Sequence, residues 1–552
     1  YDGKLHAQLK MHEGVESKVY LDTEGIETIG VGRNLRDRGL SKSEIDYLLD
    51  SDIRICIKEL SGSFPWFKEL DTVRKRVLVD MMFNLGMPRL KGFVKMLEEI
   101  KKENLSEIFK LETDLFPCLI DMKFKGVRVD IEQAHQVKQK LLEQETRLLQ
   151  EVKKETQIDV QIMAARSIAK VFDKLNLPYK RTEKINAPSF TKNFLATHSH
   201  PIVKKIAKAR EVNKAHTTFI DTIIRYEHKG RIHADINPIR SDSGGTVTGR
   251  FSYSKPNLQQ IPARNKELGP MIRSLFLPER EHKWGCFDYS QQEPRLVVHY
   301  AARSSLAKDK SVVEIVDRFK KGSVDFHKIV ADMAKIERIQ AKTINLGLFY
   351  GMGKAKLQAE LGLSTRQEAE ELFDKYHDSV PFVKNLMDKT TEAAETDGYI
   401  RTLGGRRCNF EKYEINEFRR GKLSVTGTRD EIEAKYIKQY KEKYPEAEEE
   451  KIERIRKVLK EKDQTLIKRA FTYKALNKLI QGSAADMTKK AMLDLYKEGI
   501  IAHIQIHDEV DISVESDKKA KRIIEIMETA VDLEVPNKVD YESGKTWGNI
   551  YD

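Results

Sequence analysis

Asp508 and Asp288 are the residues whose surroundings suit chemistry. Around the first, Ile504, Ile506, Val510, Ile512 and Val514 are apolar at period two, broken only at His507-Asp508-Glu509. This pattern predicts two strands joined by a tight turn with Asp508 in it. Around the second, Trp284-Gly-Cys-Phe-Asp288 reads as an apolar strand ending on a carboxylate, with a helix-like stretch from Pro294. Strand ends and hairpins are rigid enough to hold a ligand atom to roughly half an ångström. Two carboxylates on neighbouring strands can hold two Mg²⁺ ions roughly 3.5–4 Å apart. One ion would activate an attacking hydroxyl and the other would neutralise a leaving phosphate. Glu509 adds a candidate catalytic carboxylate beside Asp508. Taken singly, however, an Asp in a hairpin turn is more often a turn former.

A third element narrows the choice. Arg338, Lys342, Leu346 and Tyr350 recur every four residues, so on a helix they share one slowly drifting face. Two cations, an apolar residue and an aromatic ring suit a triphosphate running into a nucleobase. An amphipathic surface helix with two solvated bases is the plain alternative. Gly347 and Gly351 would each cost an ordinary helix roughly 1 kcal/mol, which points to close approach or movement. A separate constellation lies near the N-terminus. Glu13 is near the end of a helix-like stretch, and Asp22 and Thr28 flank a Gly-containing turn. Two carboxylates facing a cleft are what glycosidic hydrolysis needs, although such residues are common on any small domain.

The elements that must position these groups form more than one unit. The chain has 552 residues, 40% of them hydrophobic and 33% charged, so two or more cores are expected. The net charge of +12 favours a polyanionic partner, nucleic acid above all. There is no run of 18 apolar residues and no secretory pattern at Tyr1–Lys10, so no membrane association is expected. Cys56, Cys118, Cys286 and Cys408 are far apart, which argues against a zinc site or a disulfide framework and for reduced thiols in a cytoplasm-like compartment. The pattern changes near residue 105. Ile131–Glu155 and Ile202–Tyr226 read as long charged helices. Leu275–Leu277, Lys283–Tyr289 and Ile501–Val514 read as strands, and Asp325–Ala334, Glu337–Tyr350 and Ser364–Tyr376 as helices. Residues 411–468 read as a charged helical insertion split at Pro445, either solvated or in contact with DNA.

Asp288-Tyr-Ser-Gln-x-Glu293, Arg338-x3-Lys342-x7-Tyr350-Gly351 and His507-Asp508-Glu509 resemble motifs A, B and C of family A DNA polymerases, in order and spacing. Thr248-Gly-Arg-Phe-Ser252, Pro256-Asn-Leu-Gln-x-Ile-Pro262, Asp325-Phe-His327 and Gln481-Gly-Ser-Ala-Ala-Asp486 extend the resemblance from about Leu111 to the C-terminus. It implies an α+β right hand: thumb at about 131–230, palm at 236–315 and 482–552, fingers at 316–481, within a unit spanning 106–552. It implies a monomer that replicates DNA, takes primer-template DNA and dNTPs, uses two Mg²⁺ ions and works in the cytoplasm of a phage's host. Asp288 and Asp508 would hold the metals. Arg338, Lys342 and His327 would meet the triphosphate, with Lys342 also the proton donor to pyrophosphate. Glu293 would gate against the ribose 2′-OH, and Tyr350 would sit at the nascent base pair beside Leu346. Arg250, Asn257, Gln259, Asn477, Gln481 and His507 would contact primer or template. Three features depart from the family. Leu346 stands where Phe or Tyr is frequent. Tyr473 replaces an Arg, with Lys474 or Arg469 as substitute. No acidic exonuclease motif precedes the polymerase.

Met11–Gly32, Ser41–Leu49 and Val73–Gly86 resemble phage-type lysozymes, the muramidases of glycoside hydrolase family 24. Glu13, Asp22 and Thr28 match their catalytic Glu, Asp and Thr. The similarity covers roughly residues 5–105 of a unit expected to span 1–105 and stops before the family's last helices, and Arg33 replaces a frequent His. Peptidoglycan hydrolysis is therefore the alternative or second activity. A nucleic-acid-binding protein without chemistry is a third reading, and the coexistence of Asp288, Asp508, Arg338 and Lys342 counts against it. The missing exonuclease motif predicts that purified protein, given metal but no dNTPs or pyrophosphate, leaves a mismatched primer 3′ end untrimmed. Metal-dependent shortening on a sequencing gel would contradict this.

Overall fold

The fold was analysed in a computed structural model. It describes residues 3–182, 185–239, 245–263, 265–322, 325–349, 354–415, 425–446, 448–461 and 467–550. The side chains of Glu13, Leu346, Phe349 and a few other residues within helices lie outside that description. Two compact units appear, Tyr1–Asn104 and Leu105–Asp552.

In the first unit, the helix Gly3–Glu13 precedes a three-stranded antiparallel sheet of Glu16–Leu21, Glu27–Gly30 and Arg33–Asn34. The helix Lys42–Ser63 starts on a capping box in which the Ser41 hydroxyl and the Glu44 carboxylate satisfy each other's backbone amides. The helix Thr72–Lys102 is kinked where Gly86 takes φ +73° and Pro88 follows. The core is small: Cys56, Leu60, Phe64, Phe67, Met82 and Leu90. Met11, Val15, Leu21 and Tyr47 are more than half exposed.

In the second unit, a four-stranded antiparallel sheet runs in the order Ile504–Ile506, Glu509–Val514, Lys283–Tyr289, Val539–Gly544. Strand periodicity gives its two faces opposite characters. Phe287, Val510, Ile512 and Tyr541 share the apolar face, where the Tyr289 hydroxyl donates to the carbonyl of Met527 in the helix Asp517–Thr529 (2.6 Å). The opposite face carries the carboxylates described below. A second core gathers Leu296, Phe319, Phe326, Ala341, Ile344, Tyr376 and Ile480 from the helices Gln292–Ala302, Lys310–Lys320, Phe326–Ala334, Arg338–Phe349, Arg366–Ser379 and Ala475–Lys497. A third lies among Ile131–Thr156, Ala165–Lys174 and Pro201–Lys214.

Two expectations change. The helix expected over Ile202–Tyr226 is interrupted by a π-helical turn at Ala215–Ile220, within which His216 meets the Glu145 carboxylate (2.5 Å). The charged insertion is not purely helical. The helices Ile432–Lys443 and Glu449–Glu461 flank Pro445 as expected, but Tyr413–Ile415, Thr426–Gly427 and Ile467–Arg469 form a three-stranded sheet beside them. Strands of two or three residues leave too short an alternation to be read against so many charges. Ile415, Val425, Ile432 and Ile467 give the insertion a core of its own.

A buried polar knot joins the helices Ser106–Lys125 and Ala475–Lys497. Lys489 Nζ, fully enclosed, donates to Glu112 Oε1 (2.6 Å) and the Pro238 carbonyl (2.8 Å). Arg406 bridges Glu112 and Asp486, and Asp486 also accepts from the Thr402 hydroxyl. Gly482 permits the approach, since a Cβ there would meet Thr402 Cγ2 at 2.5 Å. Burial pulls the Lys489 ammonium down to about 8 against the pull of Glu112. Truncating Glu112 would leave that cation buried without its carboxylate, so Glu112→Ala is expected to cost about 3–5 kcal/mol, read as a lower urea midpoint.

Candidate active site

Register decides the geometry of the site. Asp288 pairs with Glu509 on one side and Asp540 on the other, and Cys286 pairs with Asp511 and Glu542. Directly opposed residues point the same way, so one face collects Asp288, Glu509, Asp511, Asp540 and Glu542. The turn His507-Asp508, with His507 at φ +58°, brings Asp508 alongside, and its carbonyl accepts from Tyr289 N (3.3 Å). Like charges about 5 Å apart repel by about 3 kcal/mol at an effective dielectric of 20, far above the worth of an ordinary cross-strand pair.

Burial raises these carboxyls, and for Asp288 and Glu509 that repulsion adds to it. Burial, then Asp508, Glu509 and Asp540, push the Asp288 carboxyl well up, and it shares a hydrogen bond with Asp508. Asp508 is raised chiefly by burial. Glu509 is raised by burial and then by Asp511, with Arg273 opposing. Burial also raises Asp511, which is fully enclosed, against hydrogen bonds from Cys286 Sγ (2.6 Å) and Trp284 Nε1 (3.1 Å). The Arg273 guanidinium lies over the Trp547 ring (4.3 Å), which stacks on Trp284 (5.6 Å). Asp288 Oδ1 is buried with no hydrogen-bond partner. Hard oxygen donors that disfavour one another's charge, one of them unpartnered, fit a divalent cation.

Beside this face, Arg250 Nη2 donates to Glu293 Oε1 (2.6 Å), and both side chains are largely buried. Burial raises Glu293 while Arg250 lowers it. Gln259 Nε2 reaches the carbonyl of Gln505 (3.0 Å), and Asn257 Oδ1 caps Gln259 N (3.1 Å). Thus Arg250, Gln259, Glu293 and His507 gather around Asp508. Asn477 and Gln481, one turn apart and half-buried on the helix Ala475–Lys497, make no hydrogen bond to that group among the described residues. Of the substitutes for the Arg at Tyr473, Arg469 is engaged with the Phe410 carbonyl (3.1 Å) and the Tyr413 ring (5.2 Å). Lys474 stands over the Phe471 and Tyr473 rings (5.0 and 5.6 Å), which makes it the cation beside that position.

The cationic helix forms a second cluster. Asp325 caps the helix Phe326–Ala334 through His327 N (2.9 Å) and Lys328 N (3.2 Å), and its other oxygen holds Arg338 Nε (2.6 Å). Lys342 is exposed on the same helix as Arg338. Gln291 Oε1 accepts from Phe326 N (2.7 Å), tying this cluster to the segment that carries Glu293. Tyr350 and Gly351 lie outside the described residues, as does the Leu346 side chain.

In the N-terminal unit, Thr28 Oγ1 donates to Asp22 Oδ2 (3.3 Å), while Asp22 Oδ1 accepts from Glu24 N and Ile26 N (2.9 Å each). The Ile26 amide is the largest influence holding Asp22 below the usual carboxylate range. The Glu13 side chain lies outside the described residues. Arg33 pairs with Glu44 and the Gly39 carbonyl (Nε–O 2.9 Å), an internal tie of the unit.

Sequence reading missed the flanking carboxylates Asp511, Asp540 and Glu542. The alternation Val539-Asp-Tyr-Glu-Ser could have marked a strand, but its register against Asp288 is a tertiary fact.

Residues 131–549 match the sequence profile of DNA polymerase family A. The chain belongs to DNA polymerase family A. It is a DNA-directed DNA polymerase, and enzymes of this family use divalent metal ions. The DNA-directed DNA polymerase of Pseudomonas phage M6 is 33% identical over 502 residues, 82% of this chain and 67% of that one. DNA polymerase DpoZ of Acinetobacter phage SH-Ab 15497 is 27% identical over 589 residues, covering 95% and 84%. DNA polymerase I of Geobacillus stearothermophilus is 30% identical over 474 residues, 82% of this chain but 47% of that protein. Among solved structures, the POL domain of Pol1 from M. smegmatis, in complex with DNA primer-template and dNTP, matches with TM-score 0.62 at 22% identity, covering 82% of this chain and 73% of that one. The family A polymerase fold is thus that of the second unit. Residues 10–112 match the Phage lysozyme profile, running past the expected end of similarity at 105. No helix among the described residues is long and apolar enough to cross a membrane.

The raised Asp288 carboxyl makes a signed prediction. A carboxyl whose pKa is higher in the folded state contributes stability that is present at low pH and lost as pH rises through the folded value. Metal-free Asp288→Asn is therefore expected to melt a few degrees above the unmodified protein at about pH 8, with the gain vanishing below about pH 4. Differential scanning calorimetry in chelator at the two pH values checks this.

Proposed function

We propose that this chain extends a DNA primer along a template, taking dNTPs and releasing pyrophosphate, in phage DNA replication within the host cytoplasm, as a monomer. The observation that carries this reading is the carboxylate face built on Asp288, with Asp508 in the adjoining turn and the Arg338–Lys342 helix tied to it through Gln291. Asp288 and Asp508 would hold two Mg²⁺ ions, with Glu509 supporting them. The ions, when bound, activate the primer 3′-hydroxyl and neutralise the triphosphate.

The chain's own residues supply the rest. Arg338, now paired with Asp325, would exchange that carboxylate for triphosphate oxygens. Lys342 would bind the same group and give a proton to departing pyrophosphate. His327 would add a further contact, with Tyr350 and Leu346 at the base. Glu293, buried and steered by Arg250, would occupy the space a ribose 2′-OH needs. Arg250, Asn257, Gln259, Asn477, Gln481 and His507 would line the minor groove of the primer terminus. In this reading residues 131–230 act as thumb, 236–315 and 482–552 as palm, and 316–481 as fingers.

A second reading concerns the N-terminal unit. The Asp22–Thr28 hydrogen bond and the Phage lysozyme match support a peptidoglycan-cleaving site completed by Glu13. Clearing of bacterial walls should then fall in Glu13→Gln, and equal rates in the two proteins would end this reading.

Primer extension tests the main reading. Asp288→Ala and Asp508→Ala should each reduce extension on the order of a thousandfold or more while primer-template affinity stays largely intact. Extension surviving either change refutes the site. Glu293→Ala should raise ribonucleotide incorporation relative to dNTPs, measured with mixed nucleotide pools.

A further inference from the structure

A chain of three side chains runs from inside the second core to His327. Tyr376, fully enclosed on the helix Arg366–Ser379, donates its hydroxyl hydrogen to Asn345 Oδ1. Asn345, fully enclosed on the helix Arg338–Phe349, lies one turn from Lys342 and places its amide nitrogen 3.0 Å from His327 Nδ1. The half-buried His327 ring faces three charged groups, Asp325, Lys342 and Arg338. None of the three is in the Tyr376–Asn345 chain.

The orientation of the Asn345 amide gives these hydrogen bonds their direction. An amide nitrogen carries only donors, and an amide oxygen only acceptors. The structure places the Tyr376 hydroxyl on Oδ1 and so turns the Asn345 NH₂ toward the imidazole. In that orientation Nδ1 acts as the bare acceptor, and a neutral ring would carry its proton on Nε2. Burial lowers the His327 pKa and favours this neutral ring. The alternative tautomer would set two N–H donors against each other at 3.0 Å, a buried mismatch worth roughly 1–3 kcal/mol.

We propose that Tyr376 and Asn345 are positioning residues that hold His327 as the Nε2–H tautomer, so that it offers a hydrogen-bond donor to an oxygen of the incoming triphosphate. The inference rests on the reading of His327 as a triphosphate contact. With the proton on Nδ1, the ring would present a lone pair to the anion and repel it. Asn345 shares a helix with Arg338 and Lys342, so one helix would carry two cationic contacts and set the tautomer of a third. Tyr376 clamps the amide from outside that helix, which keeps the orientation set before any ligand arrives.

The experiment combines spectroscopy with a double-mutant cycle on the full chain. In protein labelled with ¹⁵N-histidine, the His327 resonances are assigned by their loss in His327→Ala. The expected spectrum shows the Nε2–H tautomer in the unmodified protein and a proton moved onto Nδ1 in the isosteric Asn345→Asp. A native Nδ1–H tautomer overturns the proposal. In steady-state extension, Tyr376→Phe should raise the KM for dNTP about fivefold with primer-template affinity unchanged. His327→Ala should raise it at least as much, and the double variant should be no worse than His327→Ala alone. Losses that simply add, or a Tyr376→Phe protein that melts lower with native KM, reduce the chain to packing and overturn the proposal. If His327→Ala leaves the KM unchanged, the triphosphate contact itself falls, and the spectrum still decides whether the tautomer is held.

Discussion

Burial and mutual repulsion of carboxylates on one face of an antiparallel sheet are the constraint on which the candidate site depends. The register that sets Glu509 and Asp540 either side of Asp288 also sets Asp511 and Glu542 either side of Cys286. Such a face cannot be stabilised by its own contacts. Its rigidity comes from the opposite face, where Phe287 and Tyr541 stack at 4.8 Å and Tyr289 reaches the helix beneath. Local relief comes from Trp284 and Cys286, which donate to Asp511, and from Arg273, which draws both Glu509 and Asp511 downward. Asp288 receives no such relief at Oδ1. The face is therefore most strained where an external cation would help most.

The cationic side of the site is built differently. Its positive groups are exposed or held by single carboxylates, as Arg338 is by Asp325, so they can be released to a ligand. The polar atoms that aim them lie deep, at Asn345 and Tyr376. Donors on the surface and orienting partners in the core give both access and preset geometry. The two sides arise from different hydrophobic cores, and the Gln291–Phe326 hydrogen bond is a short covalent distance from both Asp288 and Glu293. Further back, the knot of Glu112, Lys489, Arg406 and Asp486 ties the helix Ala475–Lys497 to the helix that opens the second unit.

The N-terminal unit shows what a small core allows. Among the described residues, six buried hydrophobic side chains form its core, and several large apolar side chains remain in water. In its Asp22 turn, two backbone amides and Thr28 hold one carboxylate below the usual carboxylate range. The charged insertion makes a similar point at smaller scale. Among the described residues, Ile415, Val425, Ile432 and Ile467 form its core where the short strands meet the helix Ile432–Lys443.

The sequence by itself determined the elements around the site and the motifs on them. Lys283–Tyr289 is a strand with the bounds its alternation predicts, and His507-Asp508 is a turn between strands. The helices carrying His327, Arg338 and Lys342 also lie where periodicity puts them. These are local properties, set by side-chain period and turn chemistry over a few residues. Tertiary structure alone decided which residues face one another. Asp511 and Glu542 became neighbours of the site through register, a relation between segments far apart in the chain. Asn345 looks like any polar residue in a helix until Tyr376 and His327 close on its two ends. The π-helical turn at His216 and the short strands of the insertion were hidden for the same reason. Their stability comes from distant partners, and a local pattern carries no record of those.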